Sequence, residues 1–205
     1  MFGFSGGKKD GPAGGFGQLQ QVRAYWEALR EAGTLPRRDQ IDPRGMSNAL
    51  EQVFLIEQVA PGHARFRLAG MLMNDLLGME VRGMPLTSLL EPGARGRLSD
   101  GLGSVFSGAA VLELWLEAER GIGRPALEAR MLLLPLIGTY GEPNLALGCL
   151  CVKGDIGRSP RRFAIAGMVR EPLPVTPRMS FAEDGAAFVP APPRGKPQLR
   201  LVSSR

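Results

Sequence analysis

The chain has 205 residues, an apolar fraction of 44% and a charged fraction of 22%, the balance of one ordinary folded domain with extensions. Its net charge of +5 is spread thinly: +1 in residues 1–17, +2 in 171–205 and +2 between them. A nucleic-acid binder concentrates its basic residues on one face, so nucleic acid is not the expected partner. No apolar run reaches the ~18 residues of a membrane span, and the Gly-rich start has no apolar stretch before a cleavage site.

Residues 1–17 read as a flexible N-terminal segment. From Gln18 to Glu31, Leu19, Val22, Trp26 and Leu29 recur at helical spacing and predict an amphipathic helix, with Gly33 as its C-cap. Pro36 and Pro43 bar a regular helix across 35–43, and a short helical turn follows Pro43. Val53–Glu57 is a short apolar run, and Pro61-Gly62-His63 is a turn. In Arg65–Ala69, Phe66 and Leu68 alternate with Arg65 and Arg67, so the two runs predict a hairpin. Residues 70–83 turn helical and stop at Gly78. A second short piece covers 84–90, and a longer helix covers 93–107.

Strand signals dominate the last third. Val111–Glu119 alternates cleanly, with Leu112, Leu114, Leu116 and Ala118 against Glu113, Trp115, Glu117 and Glu119, as a sheet with one wet face requires. Leu127–Leu133 returns after a Gly/Pro turn, and Leu145–Lys153 closes the meander. Phe163–Val169 is expected to be a short element packed on the sheet edge. Residues 171–205 are expected to form a Pro-rich basic tail, disordered by composition. The domain therefore spans 18–170, and helix, hairpin, short helices and meander together make an α+β fold.

Several blocks resemble a known family. They are Phe66–Gly70 with Gly78–Leu86, Trp26–Arg30 with Pro36–Pro43, and Leu132–Leu136 with Leu147–Leu150. Together they resemble the stand-alone PAS domains of alphaproteobacteria (PAS_5), over residues 19–170. The resemblance implies a five-stranded antiparallel sheet with a helical flank and a role in sensing or protein contact. It implies no substrate and no catalytic residue.

A search for chemistry yields little. His63, the single histidine, falls in a turn. The two cysteines, Cys149 and Cys151, sit at i and i+2 of a strand, read as small core residues, and suit a reducing cytoplasmic setting. Neither supplies the ligand number that zinc needs, and no metal site is expected. Gly6–Lys9 lacks the spacing of a phosphate loop, and Gly101–Phe106 does not follow a strand. Glu117 and Glu119 read as solvated surface, and Asp39 and Asp42 as turn and capping groups. Flavin-binding PAS relatives use a cysteine on a helix and haem relatives a histidine on the helical flank. No cofactor is expected here, and no enzymatic activity.

Two sets of residues remain. Arg67 and Arg82 sit among apolar neighbours. Either each pairs with a nearby acid or carbonyl, or both reach into an anion-binding pocket between helices and sheet, lined by methionines such as Met71 and Met131. Val22, Tyr25, Trp26 and Leu29 on the first helix, with Trp115 on the outer sheet face, are candidates for a homodimer or partner interface. Without an output domain in the chain, such a sensory or interaction domain is expected to signal through a partner protein. The alternative is a binder of a small ligand, an anion among the candidates.

Overall fold

A computed structural model of the chain describes residues 16–31 and 33–174. The strands are β1 (Val53–Ala60), β2 (His63–Ala69), β3 (Ala110–Ala118), β4 (Glu128–Leu136), β5 (Leu145–Lys153) and β6 (Phe163–Pro172). They form one antiparallel sheet in the order β2-β1-β5-β4-β3-β6. The helices are α1 (Gly17–Ala28), α2 (Met71–Leu77) and α3 (Arg95–Phe106), joined by 3-10 turns that include Arg38–Gln40, Pro43–Ala49 and Leu86–Leu89.

Period-two alternation sorts the sheet's side chains into two layers. On the inner face Phe54, Ile56, Leu112, Leu114, Met131, Leu133 and Leu150 pack against α2, α3 and Leu86–Leu89. On the outer face Leu55, Leu132, Leu134, Leu147 and Cys149 pack against Leu19, Val22 and Trp26 of α1 and Met46 of the Pro43–Ala49 turn. The amphipathic stripe read from the sequence is thus spent on the chain's own sheet. Asp42 caps the Pro43–Ala49 turn by accepting from the Arg44 amide at 2.9 Å, and Gly78 closes α2 at φ 72°, a left-handed geometry that glycine adopts freely.

The sheet has six strands where five were expected. Phe163–Val169 lies on the sheet edge as expected, but it is not a short piece. It belongs to a ten-residue strand that pairs with β3 from Ala118↔Phe163 to Ala110↔Pro172. A bulge at Trp115/Leu116 breaks the alternation, placing Phe163, Ile165 and Met168 against the inner cluster and hiding the strand from a period-two reading. The strand also runs past the expected domain boundary at residue 170, and Leu173 beyond it is buried. The Glu171 carboxylate pairs with Arg23 of α1, which holds it below the usual carboxylate range. Beyond this, the expected N-terminal segment and basic tail lie outside the described residues.

β4 continues to Leu136 through Pro135, where a central strand would lose a ladder bond. The β3 partners end at Leu112↔Leu133, so β4 is locally an edge at Pro135, which pairs only with Ala146 of β5. Gly148 lies opposite Phe54 across the β1–β5 ladder. A Cβ there falls 2.1 Å from the Phe54 ring, which Phe66 already holds edge-to-face at 5.4 Å. Gly148→Ala is therefore expected to lose about 1–3 kcal/mol through overpacking, measured by denaturant unfolding. An unchanged midpoint would show that the ring moves without strain.

Candidate functional site

The hairpin β1–β2 carries the most unusual surface. Its register shifts between Leu55↔Leu68 and Ile56↔Phe66, leaving Arg67 as the extra residue of a bulge. Phe66 consequently turns inward, 1% exposed, while Leu68 lies on the outer face beside Leu55, 51% exposed. The alternation expected for Arg65–Ala69 placed Phe66 and Leu68 together; the bulge separates them. Arg65 and Arg67 keep the shared side that alternation predicts and line an outer groove, to which the bulge adds Leu68. Arg82 reaches the groove from the segment running along the free edge of β2, where the Phe66 amide donates to the Met84 carbonyl and the Gly83 amide to the Phe66 carbonyl. Arg38 enters from the turn before β1.

These four guanidiniums border a groove of about 420 Å³ floored by Leu55 and Leu68. Glu57 answers two of them, accepting from Arg65 at 2.9 Å and lying 3.5 Å from Arg67. Among the described residues no acid comes within 4.0 Å of Arg38 or Arg82. Arg67 thus pairs with an acid, and Arg67 and Arg82 border one concave surface. The expected position is corrected, however. The groove lies on the outer side of the hairpin, not between helices and sheet. The two methionines do not line it: Met131 is 1% exposed within the inner core, and Met71 is 61% exposed on α2. Alternation set Arg65 beside Arg67 but did not mark it for the site, and Arg38 was missed because it approaches from a turn 27 positions before Arg65 in sequence.

The second candidate surface is the outer sheet face. Val22 and Trp26 are fully covered, so they serve the α1–sheet contact and are not free for a partner. Tyr25 is half-buried, its hydroxyl accepting from the Asp42 amide at 2.7 Å. Leu29 is half-buried at the helix end. Trp115 remains half-open beside α1, with Val169 of β6 51% exposed nearby. Arg130 lies over both the Trp115 ring, at 5.3 Å, and the Phe16 ring, at 4.8 Å, and so ties the start of α1 to this face.

Cys149 and Cys151 are buried and reduced, with sulfurs 3.9 Å apart on the outer face of β5 beneath α1. Their mutual contact, together with burial, pushes the Cys149 thiol up, and the same contact lowers that of Cys151. Both cysteines of the chain thus stand on a strand and neither on a helix. His63 is exposed at the start of β2, next to Gly62, whose carbonyl accepts from the Ser99 hydroxyl of α3 at 2.8 Å. Among the described residues no group of three or more His, Cys, Asp or Glu could hold a metal ion, and no helix is long and apolar enough to cross a membrane.

One buried charge escaped the sequence reading. Arg161 is 0% exposed and donates to the carbonyls of Ile156, of Pro125 at 2.8 Å and of Glu119 at 3.2 Å. It links the β3–β4 connection to the segment leading into β6. Burial draws its guanidinium below the usual value. Nothing in the sequence around it marks it off from Arg162.

An antiparallel sheet with helices stacked on its inner face and a leading helix on its outer face defines an α+β, PAS-like domain. The sequence model described as PAS domain matches residues 17–151, more than half of the chain, and the chain belongs to that family of sensory domains. The match ends within β5, so β6 lies beyond it. Two solved structures are similar. One, titled a Rhodobacter sphaeroides LOV protein, has 16% identity and a TM-score of 0.40, covering 67% of this chain and 68% of that one. The other, titled an RNA-binding light-oxygen-voltage receptor, has 16% identity and a TM-score of 0.40, covering 60% of this chain and 36% of that one. None of the curated proteins matches the chain.

Proposed function

We propose that this PAS domain is a non-catalytic sensory or interaction module of the cytoplasm that forms a homodimer and acts through a partner protein. The observation that carries this reading is the open part of the outer sheet face. There Trp115 and the 51%-exposed Val169 sit beside the α1 entrance, and an amphipathic aromatic flanked by an exposed aliphatic is the composition of an interface core. The reading needs neither flavin nor haem, consistent with both cysteines lying on the outer face of β5.

Sedimentation of the full chain tests it. Wild-type protein is expected to dimerise, and Trp115→Glu combined with Val169→Glu to shift the dissociation constant by at least tenfold. A wild-type monomer at all concentrations would remove the homodimer. Capture of the same binding proteins by wild type and double variant alike would remove this face as the output surface.

A second reading, binding of a small anionic ligand, is favoured by the four arginines of the hairpin groove, two of them without an acid partner among the described residues.

A further inference from the structure

The arginine groove does not stand alone. An apolar cleft of about 210 Å³ adjoins it, walled by Ile41, Met46, Leu50 and Val53. Arg38, Leu55 and Leu68 line both spaces, so the two form one continuous surface with a cationic end and an apolar end. Leu50 and Leu68 are 43% and 51% exposed at this junction, apolar area left in water that a ligand would cover.

The two ends demand one kind of molecule. At the cationic end four guanidiniums face one carboxylate, Glu57. Guanidinium forks match the paired oxygens of a phosphate, and several can share one such group. Glu57 is 21% exposed and holds Arg65 and Arg67 in place, which lowers the ordering required on binding. At the apolar end no charged side chain other than Arg38 contributes to the lining, so the remainder of the ligand must be hydrocarbon. A simple anion leaves the cleft wet, and a neutral hydrophobe leaves Arg38 and Arg82 unanswered.

We propose that the hairpin groove and its adjoining cleft bind a phosphate-bearing amphiphile, with the phosphate among Arg38, Arg65, Arg67 and Arg82 and a short alkyl or acyl chain against Leu50, Leu55 and Leu68. This rests on the anionic-ligand reading and narrows it. The site touches the Pro43–Ala49 turn through Pro43 and Met46. Met46 packs in the same outer cluster as Val22 and Trp26 of α1, so an occupant bears on the seat of the leading helix.

Calorimetric titration of the full chain with octyl phosphate and with inorganic phosphate tests the proposal. Octyl phosphate is expected to bind at least tenfold more tightly than inorganic phosphate. Arg67→Gln with Arg82→Gln should weaken it at least tenfold, and Leu68→Gln should abolish the advantage of the alkyl chain. All three positions are exposed, and an unchanged thermal midpoint confirms that the variants fold. Equal affinity for the two probes, with loss in the arginine variant, overturns the amphiphile and leaves the anionic reading standing. Absence of binding by either probe, or binding indifferent to the arginines, overturns both. Vesicles containing phosphatidic acid separate the sources: binding to them as well as to octyl phosphate supports a lipid headgroup, and binding to octyl phosphate alone supports a free amphiphile.

Discussion

Trp26→Ala is expected to lower the unfolding free energy by about 3–5 kcal/mol, the range for deleting a buried large aromatic. The indole is 0% exposed, clamped between α1 and the outer sheet face. Its Nε1–H donates to the Pro135 carbonyl at 3.0 Å, and the Arg30 guanidinium covers the ring at 5.0 Å. The short helix α1 holds few other anchors, since its buried side chains are Leu19, Val22 and Trp26. Isolated helices of twelve residues are marginal in water, so losing the largest anchor should release α1 before the inner layer melts. Trp26→Phe retains most of the burial and drops the hydrogen bond, and should lose about 1–2 kcal/mol. Denaturant unfolding measures both values, and hydrogen exchange across residues 17–28 reports the helix. A loss under about 1 kcal/mol for alanine would mean that α1 is not seated by this residue.

Arg161→Ala should remove about 3 kcal/mol or more, because it leaves three carbonyl acceptors around an empty space and unfastens two chain connections at once. For a chain of this size that corresponds to a fall in melting temperature of roughly 6–12 °C. Arg161→Lys should recover only part of the loss, since an ammonium on a flexible stem does not reproduce the planar fork that spans Ile156, Pro125 and Glu119. Arg161→Met separates packing from hydrogen bonding: it fills much of the volume without a donor. Thermal unfolding of the three variants gives the order, expected as Lys least affected and Ala most. A methionine variant as stable as wild type would show that the carbonyls are satisfied without the guanidinium.

Each variant disturbs a contact between segments far apart in sequence, and that is where legibility divides. The clean alternation of Leu112, Leu114, Leu116 and Ala118 announced β3 because one side of that strand faces the core. The Pro61-Gly62 turn announced the hairpin, and Gly78 the end of α2. These signals are local, carried by side-chain periodicity or by backbone freedom at one position. The stripe on α1 was legible as a stripe, but not what covers it. An amphipathic face is complementary to any apolar surface, and the surface that wins here is the outer side of β4 and β5, whose Leu132, Leu134, Leu147 and Cys149 must be covered too.

The site was legible one residue at a time. Arg67 and Arg82 were singled out and alternation set Arg65 beside Arg67, but Arg38 did not stand out, because it reaches the groove only through the approach of segments far apart in sequence. A bulge likewise concealed the full length of β6. By itself, then, the sequence determined the α+β class, the hairpin and the meander, since these follow from periods of 2 and 3.6 along contiguous residues. Only the tertiary structure decided which layer α1 occupies, that a sixth strand closes the β3 edge, that Arg161 is buried, and that four arginines adjoin an apolar cleft. Those outcomes depend on long-range register, where a one-residue shift turns every following side chain to the opposite face.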